Sequence, residues 1–230
     1  MPNIVKNTTI PGLFDLIAPH SCRGCGRTGN ILCDCCKNNI LKHYVNICPI
    51  CKTKTPTNVC PNCSNLPPTF IIGNRDSLIG ELVHDYKYYS VRALAKPLAK
   101  ILNQIIPTID GPVAIVPLPT ISKHIRERGF DHTLLLAKNL TKLRSNYQLA
   151  PLLIRNKNTV QVGSSRSNRL AQSDQAYTVK KSAHIDQDTT YILLDDVWTT
   201  GASMQSAVKK LRQAGADKIT IALLALSRID

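Results

Sequence analysis

All nine cysteines of this 230-residue chain lie between positions 22 and 63. Eight fall into four CxxC pairs, Cys22/Cys25, Cys33/Cys36, Cys48/Cys51 and Cys60/Cys63, with Cys35 left over. A CxxC turn aims two thiolates at one ion, so two such turns close one tetrahedral zinc site and four pairs predict two. Sequential pairing, 22/25 with 33/36 and 48/51 with 60/63, is the default, and a cross-braced pairing stays open. A disulfide framework is the competing reading. It fits poorly, because Ile4–Ala18 interrupts its apolar stretch with Lys6 and Asp15 and lacks a secretory core, which points to a cytoplasmic address. Few large apolar residues lie within 1–70, so metal binding is expected to supply much of that segment's folding free energy.

Beyond Cys63 the text changes. Asn65-Leu66-Pro67-Pro68 reads as a linker, dividing a zinc-binding module at 1–68 from a second domain at 69–230. In the second domain apolar residues from Ala93 to Ile105 recur at helical spacing, and Leu134–Leu143 and Ser203–Ala214 read as further helices. Val113–Val116, Tyr191–Leu194 and Ile219–Leu226 read as buried strands. Strands alternating with helices imply right-handed crossovers and a mostly parallel sheet, an α/β fold. No apolar run approaches the roughly 20 residues a membrane span needs.

The stretch from Tyr191 to Ser203 carries the most chemistry. An apolar strand ends in Asp195-Asp196 and passes through Val197-Trp198-Thr199-Thr200-Gly201-Ala202 into a helix. Open α/β sheets bind ligands at the carboxyl ends of their strands. The small-residue turn can wrap amides and hydroxyls around a phosphate at the positive end of the helix, and Gly201 permits close approach. Two carboxylates would repel that phosphate but suit the hydroxyls of a ribose, so the expected ligand is a sugar 5-phosphate. A bland reading, in which the acids only cap the helix, competes with this one.

The segment resembles the phosphoribosyl pyrophosphate (PRPP) motif of type I phosphoribosyltransferases. That likeness implies that Asp195 and Asp196 hold the ribose hydroxyls, that Thr199, Thr200, Gly201, Ala202 and Ser203 cradle the 5-phosphate, and that Pro117-Leu118-Pro119 forms the pyrophosphate loop. With the four CxxC pairs, a Tyr-Lys at 86–87 and an RxRGF[ND] box at Arg126–Asp131, nearly the whole chain is similar to the ComF (ComFC) family of competence-associated proteins. The resemblance implies a type I phosphoribosyltransferase-like domain behind a double zinc-ribbon-like module, with Arg126, Arg128, Arg169 and Lys87 serving the reacting groups and Mg2+ accompanying PRPP. A further family segment appears as Arg155, Gln161 and Arg169, departing at Gln172 and Tyr177. Lys87 reads equally well as a lysine snorkelling beside packed aromatics. His84, His124 and His132 have no partners at metal spacing and are expected to face solvent or make ordinary hydrogen bonds.

The net charge is +14, and segment 123–181 carries 12 basic against 3 acidic residues. A pyrophosphate uses only a few cations, so single-stranded DNA is the expected second ligand, with Phe130, Tyr147 or Tyr177 as stacking faces. Gly129 after the arginines suggests a mobile loop rather than a helix. Two functions compete. One is a DNA-processing role in natural transformation alongside competence-machinery proteins. The other is an active phosphoribosyltransferase with a nitrogenous acceptor, whose hood must come from the zinc module or from 70–90, since four residues follow Leu226.

Overall fold

A computed structural model describes residues 20–156 and 176–227. Five parallel strands form the central sheet: β3 (Thr69–Asn74), β4 (Val113–Pro117), β5 (Tyr147–Leu149), β8 (Thr190–Trp198) and β9 (Ile219–Leu226). They run in the order β3-β9-β8-β4-β5. Two small antiparallel pairs accompany the sheet, β1 (His20–Ser21) with β2 (Thr28–Gly29) and β6 (Leu153–Arg155) with β7 (Tyr177–Val179). The helices are α1 (Asp34–Lys42), α2 (Leu78–Tyr88), α3 (Ala95–Ile105), α4 (Ser122–Arg128), α5 (His132–Leu140) and α6 (Ala202–Gln213).

The central strands are apolar along most of their length because both faces are covered, β8 carrying Asp195 and Asp196 toward its carboxyl end. Side chains alternate across the pleat, and the two sets enter different cores. Phe70, Ile72, Ile115, Ile192 and Leu224 pack with α2, α3 and α5. Ile71, Val116, Leu193, Ile221 and Leu223 pack with α6. This is the expected α/β architecture with a mostly parallel sheet.

The cysteine-rich segment divides between the two faces. Cys22, Leu32, Cys36 and Ile40 join the first core, whereas Val45, Cys48, Cys60 and Leu66 join the second. The chain crosses from one face to the other beside edge strand β3, where Val45 bridges Ile71.

β4 and β8 are neighbours, yet the chain leaves β4 toward β5 on one side and leaves β8 toward β9 on the other. That divergence opens a crevice at their carboxyl ends, the place where open parallel sheets bind ligands.

Candidate functional site

Each cysteine quartet is built on the same turn. After Cys22 the amide of Gly26 returns to the Cys22 carbonyl at 2.8 Å, and the Cys22 amide reaches the Arg27 carbonyl at 2.8 Å. After Cys48, Lys52 and Thr53 make the equivalent bonds at 3.0 and 2.8 Å. Both turns need a left-handed residue after the second cysteine, and Gly26 (φ 73°) and Lys52 (φ 64°) supply it. Lysine there hides the repeat from sequence reading. Cys33 caps α1 and accepts from the Cys36 amide.

The sulfurs of Cys22, Cys25, Cys33 and Cys36 lie within 4.8 Å of one another, as do those of Cys48, Cys51, Cys60 and Cys63. The sequential pairing is therefore the one observed. Burial raises the Cys22 thiol, but amides of Cys33, Gly24 and Cys25 outweigh it and hold the pKa at about 6. Contacts with Thr53 hold Cys51 at about 6, while burial and the neighbouring thiols push Cys63 up to about 12. Four adjacent sulfurs cannot all ionise without a cation, and a dication removes the repulsion. Both quartets could hold zinc, and Cys35 stands outside them, exposed.

The acidic pair lies at the crevice. β8 runs on through Asp195 and Asp196 to Trp198, four residues further than the apolar pattern suggests, and the two carboxylates have different surroundings. Asp196 is buried. Its Oδ2 lies 2.7 Å from Lys87 Nζ and 2.6 Å from His132 Nε2, charge contacts that depart from ideal hydrogen-bond angles. Burial raises the Asp196 carboxyl, but His132 and Lys87 more than reverse this and hold it well below the usual carboxylate range.

Asp195 remains partly open to a cleft of about 420 Å³ shared with Lys87, Arg128, Arg155, Tyr177 and Ser203. Burial and then the charge of Asp196 push its carboxyl up to about 8. Both acids were expected at an exposed strand end. Instead both border the cleft, with Asp196 buried and held by Lys87 of α2 and His132 of α5 and Asp195 half-buried.

His132 is hydrogen-bonded, one of the two expected outcomes, but it is buried and its partners are charged side chains of the site. It is buried at the start of α5, where Arg128 Nη1 approaches its Nδ1 at 3.0 Å. A guanidinium can only donate, so Nδ1 accepts and the ring proton sits on Nε2, toward Asp196. Tyr86 Oη donates to the His132 carbonyl at 2.7 Å. Sequence reading missed this ring because its partner lies on β8, far along the chain.

The Arg126–Gly129 stretch is likewise a helix end rather than a loop. Gly129 (φ 71°) is the left-handed cap of α4. Arg128 faces the cleft, and Arg126 is exposed outside its lining. Pro117 ends β4, Leu118 donates to the Leu194 carbonyl at 2.9 Å, and both Leu118 and Pro119 border the cleft.

Thr199 and Thr200 are exposed, and Gly201 (φ 76°) turns the chain into α6 over the Trp198 ring. The Ala202 amide lies 3.5 Å from Thr200 Oγ1, and Ser203 faces the cleft. Behind the turn a larger cleft of about 980 Å³ separates α6 from the second cysteine quartet and touches Thr200 and Ala202.

Two expected stacking faces are closed, since Tyr147 and Tyr177 are buried beneath Arg144 and Arg155. Arg144 itself donates to the carbonyls of Asn103, Ile106 and Pro107, which ties down the end of α3. Phe130 is packed edge-on by Tyr86 and covered by Arg92. Lys157, Gln161, Arg166, Arg169 and Gln172 lie outside the described residues.

No family model matches the chain. Among curated proteins it is 25% identical over 188 residues to Competence protein F of Haemophilus influenzae, covering 79% of each chain. The ComF resemblance is borne out. The match spans most of both ComF-like chains, and the two cysteine quartets and the parallel sheet accompany it. Among solved structures, the allosteric regulatory enzyme of purine biosynthesis overlaps 61% of this ComF-like chain at 20% identity with a TM-score of 0.36, and the chain spans under a third of that enzyme's length. Among the described residues no helix is long and apolar enough to cross a membrane.

Proposed function

We propose that this chain is a cytoplasmic ComF-like protein that binds PRPP, or a related ribose 5-phosphate, and single-stranded DNA during natural transformation, alongside other competence proteins. The carrying observation is the juxtaposition at one crevice of Asp195, the Thr199–Ser203 turn and the cations Lys87 and Arg128. Asp195 would accept from the ribose hydroxyls, the turn and the α6 N-terminus would take the 5-phosphate, and Arg128 would take pyrophosphate oxygens. His132 and Lys87 hold Asp196, whose backbone amide donates to Asp195 Oδ1 at 2.8 Å and so orients that carboxylate.

Mg2+ arriving with the pyrophosphate would take oxygen ligands, and Asp195, whose carboxylate lies within 4.8 Å of that of Asp196, would supply one, since Lys87 and the Nε2 proton of His132 already occupy Asp196. The ion would neutralise pyrophosphate charge when bound. The DNA reading is supported by the net charge of +14 and by the name of the Haemophilus relative.

Calorimetry with PRPP and Mg2+ tests the ligand. Asp195→Asn should weaken binding by about 1.5–3 kcal/mol, the worth of a hydrogen bond to a charged group. Unchanged affinity would remove Asp195 from the site.

One observation favours turnover as a second reading: the larger cleft gives a nitrogenous acceptor room against the Thr200–Ala202 turn, under the cover of the second cysteine quartet. Pyrophosphate release on mixing protein, PRPP, Mg2+ and nucleobases would establish it.

A further inference from the structure

The described surface carries two strongly exposed aromatic rings side by side. Tyr88 is 57% and Tyr89 69% exposed at the end of α2. Burial elsewhere makes them stand out, because the other tyrosines and Trp198 are mostly packed inside, and an exposed aromatic forgoes the stabilisation that burial would give. The exposed ring of His84 sits between them, 4.9 Å from Tyr88 and 5.4 Å from Tyr89 by centroid. Arg128 lies over Tyr88 at 5.4 Å.

The platform is held from behind. The Tyr89 amide donates to the Asp85 carbonyl, Ser90 (φ 54°) turns the chain, and Ser90 Oγ donates to the Arg128 carbonyl at 3.1 Å. Arg92 donates to the Gly129 carbonyl at 2.7 Å, locking the end of α2 to the end of α4. The aromatic faces are therefore presented on a braced turn. Arg128 stacks on Tyr88, and exposed Arg92 and Arg126 lie on the two segments that carry the platform and its brace. Among nearby acids, Asp85 is paired with Arg23, and Glu127 with His124 and Lys123.

Exposed flat rings backed by arginines suit unpaired bases on a phosphate backbone, because every base has a stacking face and the cations follow the phosphates. We infer that Tyr88, His84 and Tyr89 form a stacking platform for a single-stranded polynucleotide, which crosses the mouth of the Asp195 cleft. This rests on the nucleic-acid reading above but moves the contact from the buried Tyr147 and Tyr177 to the end of α2.

Fluorescence anisotropy of the full, metal-loaded chain with labelled oligo(dT), oligo(U) and an abasic strand of equal length is the test. Tyr89→Ala should weaken oligo(dT) binding about tenfold, the worth of one stacked base. Tyr89→Trp should restore it. The parent should bind the abasic strand no more tightly than Tyr89→Ala binds oligo(dT), and the abasic strand should not distinguish parent from variant. Equal binding of oligo(U) would extend the platform to RNA.

Oligo(dT) binding untouched by both Tyr89→Ala and His84→Ala would overturn the platform and leave the nucleic-acid reading standing. No binding by the parent to any strand at low salt would overturn both. Thermal melts of the variants, whose changed side chains are exposed, should match the parent, so lost binding cannot be confused with lost fold.

Discussion

Asp195 and Asp196 are adjacent on β8 and burial raises both carboxyls, yet the groups around them drive their protons in opposite directions. Asp196 keeps its charge because Lys87 and His132 meet it. Asp195 meets no cation at salt-bridge distance among the described residues, and burial with the charge of Asp196 pushes its carboxyl up to about 8. An ordinary carboxyl titrates near pH 4, so as pH rises from about 4 toward 8 the unfolded chain releases the Asp195 proton first and the folded state loses stability. Asp196 has the opposite sign: it contributes stability above about pH 4, lost as pH falls through its depressed value. Asp195→Asn should therefore stabilise ligand-free protein near pH 8 by about 1–2 kcal/mol, read as a higher melting temperature, and flatten the decline between pH 5 and 8. Asp196→Asn should lower it across that range by stranding Lys87. Melting curves from pH 5 to 9 check both. A site that binds its ligand at the expense of the empty fold is the pattern a functional carboxylate shows.

Among the elements, the turn between β8 and α6 is tightly constrained. A Cβ at Gly201 would lie 2.1 Å from the Trp198 ring, on a residue already at φ 76°. Gly201→Ala should cost about 2–4 kcal/mol by displacing the ring. Trp198 is the chain's one tryptophan, so its emission reports on this turn alone. The variant should shift that emission to the red, whereas PRPP should change parent emission without a melting loss. Much of this element was legible: Ile219–Leu226 is a strand to the residue, and α6 begins one position before its expected start. Pattern failed where a tertiary partner decides. The alternation along Tyr191–Leu194 gave no sign that the strand would carry two acids inward, because the groups that meet them come from α2 and α5. The short polar α4 escaped notice because none of its residues is buried.

On the scale of the whole molecule, the cysteine-rich segment is woven into the sheet's two cores rather than appended to them. Sequence reading found both quartets, with sequential pairing as the default and a cross-braced pairing left open, but the composition break at Asn65–Pro68 could not show that Leu66 packs with β8 and β9. We predict two zinc ions per chain by metal analysis. A chelator should lower one cooperative transition of the entire chain, followed by calorimetry, rather than melt an independent module. Two separate transitions, with 69–230 unaffected, would mean that the segment folds by itself.

The division of the quartets between the faces of the sheet also bears on synthesis. Cys22 through Cys63 leave the ribosome well before β9, the inner strand whose two faces complete both cores. At about 5–20 residues per second the delay is on the order of ten to thirty seconds. During that interval eight thiols stand ready for oxidation with no hydrophobic cover. Early capture of metal by each quartet would protect the sulfur as well as shape the turn, so nascent chains made under zinc starvation should accumulate mixed disulfides before they lose the ability to fold.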